Sequence, residues 1–358
     1  MPIVTTEHFK SGNLPLSKNG IPQVSEDDYC RLKGYMLETD DIVFSRVGSV
    51  DINAHVEHVQ QGWLFSGRVL RVRPIKSVNS LCLHYVLSTE SVKRDIRNRA
   101  VGQTMPSINT PILSNTGIYM SQSEAEQKKI ADLLSLIDER ISTQNKIIED
   151  LKKLKSAIIE KLYSEIQGKE YSYRQLFDVV NERNKQMEYS NILSASQEKG
   201  MINRDDLNLD IQFERSNINT YKIVRAGDYV IHLRSFQGGF AFSDKSGVCS
   251  PAYTILRPNS FLEYSYLSNY FTSQRFIKSL IIVTYGIRDG RSINVDEWLS
   301  MKITIPSKEH QQYIVKMIGS FDRKIESEEA YTIHLSKQKQ YLLRQMFIES
   351  IWQSQYLI

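Results

Sequence analysis

No two prolines stand side by side in these 358 residues, and only nine prolines and three cysteines occur at all. The missing Pro-Pro removes the Asp/Asn-Pro-Pro-aromatic element with which an adenine methyltransferase holds its flipped base. Neither G-x-x-x-x-G-K-[ST] nor G-x-G-x-x-G is present, so no glycine loop for nucleotide phosphates is encoded. Cys30, Cys82 and Cys249 are odd in number, far apart and outside any C-x-x-C spacing. That argues against a disulfide framework and a zinc site and fits a reducing cytoplasm. His55-x-x-His58 lacks a companion pair at ligand spacing and reads as ordinary surface histidines. Asp27-Asp28 and Asp205-Asp206 read as turn and helix-cap residues, not as acid/base dyads. No leader-like segment follows Met1, and the longest apolar run, residues 280–283, falls far short of the about 20 residues a membrane helix needs. The expectation is a non-catalytic, cytoplasmic chain with no metal, no cofactor of its own and no membrane contact.

The chain does hold enough apolar sequence for real cores: 41% of its residues are hydrophobic and 24% charged, over a length that suits two or three domains. A formal charge of +4 spread over this length attracts polyanions only mildly, so the arrangement of charge has to say more than its sum.

That arrangement is a tandem repeat. Ile130, Asp138, Ile141, Leu151, Lys155, Ile158, Leu162 and Tyr163 match Ile314, Asp322, Ile325, Leu335, Lys339, Leu342, Met346 and Phe347, each pair 184 positions apart. Amphipathic helices resemble one another through shared periodicity, so these matches alone prove little. The same offset also pairs Gly102 with Gly286 and Arg73-Pro74 with Arg257-Pro258. Ser107-Ile108-Asn109 meets Ser292-Ile293-Asn294 at 185, and Asp41-Ile42-Val43 meets Asp228-Tyr229-Val230 at 187. Ordered matches outside the helices, drifting only as loop insertions would make them drift, establish a duplication.

Each copy has two parts. The first, residues 1–118 and 168–306, carries short β-like runs at 41–47, 66–72, 229–234, 252–256 and 301–305, with a short helix or two, such as 262–278. The second is a long helix. Residues 124–166 contain no Gly or Pro, and apolar residues recur at Ile130, Leu134, Ile137, Ile141, Ile148, Leu151, Ile158 and Leu162 in steps of three, four or seven, with Gly168 as the stop. Such a helix is roughly 60 Å long at about 1.5 Å per residue and cannot hide its seam in one small lobe. The second copy, 308–349, offers the partner seam of Ile314, Ile318, Phe321, Ile325, Leu335, Leu342, Met346 and Phe347, with a polar middle at 326–332. The two helices are expected to pack side by side and antiparallel, with a pseudo-twofold relating the copies.

Ser121-Gln-Ser-Glu-Ala-Glu-Gln-Lys-Lys-Ile130, followed by Leu134, Asp138 and Ile141, resembles the opening of the conserved helices in type I restriction-modification specificity subunits. In that family it follows a recognition domain ending in a Pro-containing strand, which Ile303-Thr-Ile-Pro306 before Gln311 and Ile314 resembles. The resemblance covers nearly the whole chain, well in the helices and weakly in the lobes. It implies an α+β protein with two mixed, β-rich target recognition domains (1–118 and 168–306) separated by antiparallel coiled-coil spacer helices (119–167 and 307–358). It further implies double-stranded DNA as ligand, each lobe reading half of a split site. Two methylation subunits would bring S-adenosylmethionine, and restriction subunits would use ATP and Mg. The first lobe has no counterpart of residues 170–187, so either the chain is shortened at its start or other elements complete that lobe.

Loops equated by the repeat are the candidate DNA readers. Residues 97–104, with Arg97, Arg99 and Gln103, align with 285–292, with Arg288 and Arg291. A second pair of loops follows the Asp strands and carries Arg46-Val-Gly48 and Arg234-Ser-Phe-Gln237-Gly-Gly. Glycine lets backbone approach phosphate, Arg can hold guanine O6 and N7, and Gln can hold adenine. A tight turn with a solvated Arg, or a structural salt bridge, explains the same residues. Lys152, Lys153, Lys155 and Lys161 read as a solvated helix face. Two other roles stay open: a truncated or recombination-exchanged variant specificity subunit, and a coiled-coil scaffold that binds only protein.

Overall fold

The computed structural model describes residues 1–196, 199–207, 215–232, 239–285, 292–347 and 355–357. The chain forms two compact units, residues 1–146 with 329–358, and residues 147–328. Both long helices contribute one half to each unit: the first runs Glu124–Ser164 and the second Lys308–Met346.

In unit 1 a three-stranded antiparallel sheet has Ile42–Ser45 at its centre, Asn53–His55 on one side and Val69–Val72 on the other. Side chains alternate across a strand. Ile42 and Phe44 therefore pack toward the cluster around the helix Ser80–Leu87, while Val43 enters a second core with Val4, Phe9 and Trp63. Burial on both faces explains why this strand reads as a continuous apolar run. Asn79 caps Ser80–Leu87 by accepting from the Cys82 N–H, and Asn109 caps Thr110–Ser114 by accepting from Ile112.

Unit 2 repeats the design with a fourth strand, in the order Phe240–Phe242, Tyr229–Ile231, Thr254–Pro258 and Phe177–Val180. Tyr229 and Ile231 face a large aromatic core in which Trp298 stacks on Tyr173 with ring centroids 4.3 Å apart. Val230 faces Leu193 and Met201 on the other side. Asn294 caps Val295–Ser300 as Asn109 caps its counterpart in unit 1. The helix expected over 262–278 is shorter: 264–272 forms turns, and only Gln274–Ser279, capped by Ser273, is helical.

The duplication extends to individual bonds. Buried Asp41 holds Arg73 through two bonds of 2.7 and 2.8 Å, and buried Asp228 holds Arg257 through two of 2.9 Å. The amide N–H groups of Asn79 and Glu263 donate to the side chains of Gln127 and Gln311, in each case at the head of a long helix. The Arg-Pro pairs shared by the two copies are therefore parts of the framework.

The long helices meet inside each unit. In unit 1, Ile130, Ala131 and Leu134 share a core with Leu342, Leu343, Met346 and Phe347, while Asp138 pairs with Lys339 and Arg140 lies over Tyr331. As the numbers rise along one helix they fall along the other. In unit 2, Ile159 and Tyr163 meet Ile314 and Ile318, and Lys155 pairs with Asp322. Of the expected seam residues, Leu134, Ile148, Ile314, Ile318, Ile325, Leu335 and Phe347 are buried and the others partly buried. Full burial stabilises each such side chain by about 1.5–3 kcal/mol. Lys155, expected on a solvated face, is instead drawn into the seam by Asp322, a partner 167 positions away.

A C-terminal strand, Gln355–Leu357, pairs with Gly117–Tyr119 in unit 1. Its register, Gln355 with Tyr119 and Tyr356 with Ile118, is that of Tyr171 with Ile303 and Ser172 with Lys302 in unit 2, shifted by 184. The strand that precedes the first recognition lobe in the repeat pattern is thus supplied from the far end of the chain. Among the described residues, no helix is long and apolar enough to cross a membrane.

Candidate nucleic-acid interface

The central strand of unit 1 leaves the sheet at Ser45 and runs into Arg46-Val47-Gly48, where three segments are tied together by backbone bonds. Arg46 N–H donates to Arg68 O at 2.9 Å, Arg46 O accepts from Ile108 N–H at 2.9 Å, and Gly48 N–H donates to Pro106 O at 2.8 Å. Residues Val101 and Ser107 exchange bonds of 3.0 and 2.8 Å, which closes a hairpin whose tip is 102–106. Gly102 has φ +101° there, and a Cβ on it would stand 2.8 Å from Met105 O. The tight turn therefore requires glycine.

On the rim so formed, Arg46, Arg68, Gln103 and Met105 are exposed. Arg46 spends one donor on Gly67 O at 3.3 Å, which leaves the rest of its guanidinium to solvent. Two cations, an amide and an apolar side chain on one glycine-hinged edge can hold phosphates and read base edges. Arg68 was not among the sequence-derived candidates, although Gly67-Arg68 carries the same glycine-beside-arginine signal as the other loops.

Arg97 and Arg99 lie elsewhere than expected. Both sit in the last turn of the helix Glu90–Arg99, not in a loop. Arg97 bridges Asp51 at 2.5 Å and also pairs with Glu90, and Arg99 holds both oxygens of Asp95 at 2.9 Å. Hydrogen bonds to Glu90 and Asp51 push the Arg97 pKa up, against the opposing effect of burial. Their charges are already matched inside the unit. In unit 2 the equivalent hairpin is present as Thr284–Tyr285 paired with Ser292–Ile293. Arg234, Gln237, Arg288 and Arg291 lie outside the described residues.

His55 departs from the surface reading. Its side chain is largely covered, sits 3.2 Å from Asp40 and 6.4 Å from the ring of His84, and burial lowers its pKa against the opposing pull of Asp40. His58 is exposed. Among the described residues no group of three or more His, Cys, Asp or Glu could hold a metal ion.

A lobe repeated twice on a common framework, with the two long helices paired inside each unit, defines a duplicated module. The family model for the type I restriction modification DNA specificity domain matches residues 1–153 and 168–336, and the chain belongs to that family. It is a DNA-binding specificity subunit of a type I restriction-modification system, and this family does not catalyse. Two proteins of Methanocaldococcus jannaschii resemble it. The one described as the type I restriction enzyme MjaX specificity subunit is 24% identical, with 96% of this chain and 85% of the relative covered. The MjaVIII specificity subunit is 25% identical over 79% of this chain and 73% of the relative. Among solved structures, a chain from work on complex assembly and conformational transition of the type I R-M system has a TM-score of 0.59 and 13% identity, covering 87% of this chain and 82% of that one. The S subunit from M. genitalium has a TM-score of 0.52 and 15% identity, covering 88% and 84%. At these identities both support the fold alone.

Proposed function

We propose that each lobe reads one half of a split site in double-stranded DNA, and that the two long helices act as an antiparallel coiled-coil spacer that sets the distance between the half-sites. Lobes of 1–118 and 168–306, with spacers of 119–167 and 307–358, are the working division. Half-sites about one helical turn apart, roughly 34 Å, lie on one face of the duplex. Two methylation subunits carrying S-adenosylmethionine dock on the helices and lobes in the cytoplasm, and restriction subunits that use ATP and Mg join them.

The observation that carries this reading is the rim of Arg46, Arg68 and Gln103 in unit 1. Its repeat counterparts are loops bearing Arg234 and Gln237, and Arg288 and Arg291. Equivalent position with different side chains is what two half-sites of different sequence require. Arg97 and Arg99 must give up Asp51, Glu90 and Asp95 before they touch DNA, which ranks them behind the open rim.

The test is methylation of a randomised DNA pool by complexes carrying Arg46→Ala, Arg68→Ala, Gln103→Ala or Arg291→Ala. Removing a side chain that touches a base should cost about 1–3 kcal/mol of discrimination at one position. The first three changes should relax one half-site and Arg291→Ala the other. Removing a side chain that touches only phosphate should weaken all sequences alike and make the salt slope shallower by about 1. Relaxation of the same half-site by Gln103→Ala and Arg291→Ala refutes the assignment of one lobe to each half. DNA binding that is absent at every salt concentration favours the protein-binding scaffold.

A further inference from the structure

The helix seam carries one ion pair twice, with a different neighbour each time. In unit 1, Lys339 Nζ reaches both oxygens of Asp138 at 2.6 and 2.8 Å. Tyr85, itself buried, completes the group: its hydroxyl donates to Asp138 Oδ2 at 2.8 Å, and its ring centroid lies 5.2 Å from Lys339 Nζ. Burial, ahead of the Asp138 charge, pushes the phenol pKa up, so Tyr85 is a hydrogen-bond donor at any ordinary pH. In unit 2 the pair recurs as Lys155 and Asp322, 2.5 Å apart.

At the same offset Tyr85 becomes Asn269. The framework holds that offset on both sides of the position. Asn79 and Glu263 make the same bond to their helix-head glutamines, Thr89 and Ser273 precede the next helices, and Leu87 and Phe271 are both buried. The shorter Asn269 side chain turns its amide to the Ser268 hydroxyl at 3.4 Å, and among the described residues an opening adjoins it and the Lys155–Asp322 pair. The opening has a volume of about 890 Å³ and is lined by Lys155, Asp322 and Asn269 together with Phe240, Phe271 and Gln274. Sites for small ligands usually fall between roughly 300 and 1,000 Å³. The Asp322 side chain is 44% exposed, against 35% for Asp138 under its tyrosine.

We propose that this opening is a binding site for a phenol ring, with the hydroxyl donating to Asp322 and the ring face turned to Lys155. Unit 1 shows the chemistry that satisfies the pair: a carboxylate takes the O–H, and a cation rests on the π-face. A ring without a hydroxyl offers the carboxylate no bond beyond the one it has to Lys155, and a phenolate meets it as a like charge. A tyrosine side chain of a partner protein and a free small phenol offer the same chemistry.

The probe is p-cresol, with toluene as the control ring, titrated into the purified chain by NMR. Wild type should show one saturable site, with shifts at Asn269 and Gln274, and p-cresol should bind at least about tenfold tighter than toluene, the minimum expected for a charge-assisted bond of about 1.5–3 kcal/mol. Asn269→Tyr supplies the ring from within and should abolish the site. Tyr85→Asn should create a second p-cresol site in unit 1, and Asp322→Asn, nearly isosteric, should weaken the first. The proposal is overturned by no saturable binding to wild type, by equal affinity for toluene, or by full binding to Asn269→Tyr. Should Asn269→Tyr fail to fold, undiminished binding to Asp322→Asn together with no second site in Tyr85→Asn overturns it equally. Repeating the titration on the chain assembled with its methylation subunits separates the sources: binding that disappears on assembly assigns the site to a partner's tyrosine, and binding that persists assigns it to a free phenol.

Discussion

Acid should loosen unit 1 through His84. This side chain sits in the helix Ser80–Leu87, is buried, and places Nδ1 2.7 Å from Oδ1 of Asn53, which is also buried. Burial first, then the positive charges of His55, Lys339 and Lys93, push its pKa down to about 3. The folded ring is therefore neutral, and its Nδ1–H donates to Asn53. In the unfolded chain the pKa returns to about 6.5. Below that value the unfolded state takes a proton that the folded state refuses. The contribution is full above about pH 6.5 and drains as pH falls toward 3, by about 1.4 kcal/mol per unit. Between about pH 7.5 and 4.5 the loss comes to about 2–3 kcal/mol, a large share of a typical domain stability of about 5–15 kcal/mol. Because two units need not unfold together, the readout is hydrogen exchange resolved by unit. Amides of Ile42–Ser45 should lose protection in acid in the wild type, and His84→Gln, which keeps a donor for Asn53 but does not titrate, should flatten that loss by the same amount. Unit 2 has Ser268 at the equivalent position and serves as the internal control. Parallel pH profiles for wild type and His84→Gln would refute the reasoning.

Three further outcomes are expected. Arg73→Met leaves the carboxylate of Asp41, 1% exposed, with only the Glu38 N–H and should cost unit 1 about 1–3 kcal/mol, with Arg257→Met acting in the same direction on Asp228, which keeps the Arg225 N–H, in unit 2; exchange resolved by unit checks both. Gly102→Ala forces a side chain into φ +101° against Met105 O, so about 1–3 kcal/mol of strain should displace the hairpin and relax base discrimination in one half-site, measured on a randomised pool, with circular dichroism unchanged. Asp138→Lys and Lys339→Asp should each destabilise unit 1 and partly restore it together, with a coupling of about 0.5–3 kcal/mol in a double-mutant cycle; strictly additive effects would show that the pair contributes nothing.

What the sequence determined by itself was whatever local periodicity and duplication can carry. The buried strand of Ile42-Val43-Phe44 and both long helices are repeating patterns read over a few turns or a few pleats, and their apolar faces leave little choice of conformation. The copy-to-copy offset also singled out Asp41 with Arg73 and Asp228 with Arg257, although not that each pair is bonded. Candidate rim residues Arg46 and Gln103 were legible because glycine beside a long polar side chain marks a tight, exposed turn.

Only the tertiary structure decided which charges are free. Arg97 and Arg46 look alike in the sequence, yet Asp51, 46 positions upstream, neutralises Arg97, whereas Arg46 meets a carbonyl of Gly67 and keeps most of its donors open. Lys155 reads as a solvated lysine until Asp322 arrives from the other long helix, and Arg68 gains its place beside Arg46 through one backbone bond between strand ends. The helix expected over 262–278 is confined to Gln274–Ser279, and His55 is largely covered beside Asp40 and His84, neither of which the sequence places next to it. A carboxylate's partner is chosen by the path of the chain in space, and one sequence read along its length contains no term for that distance.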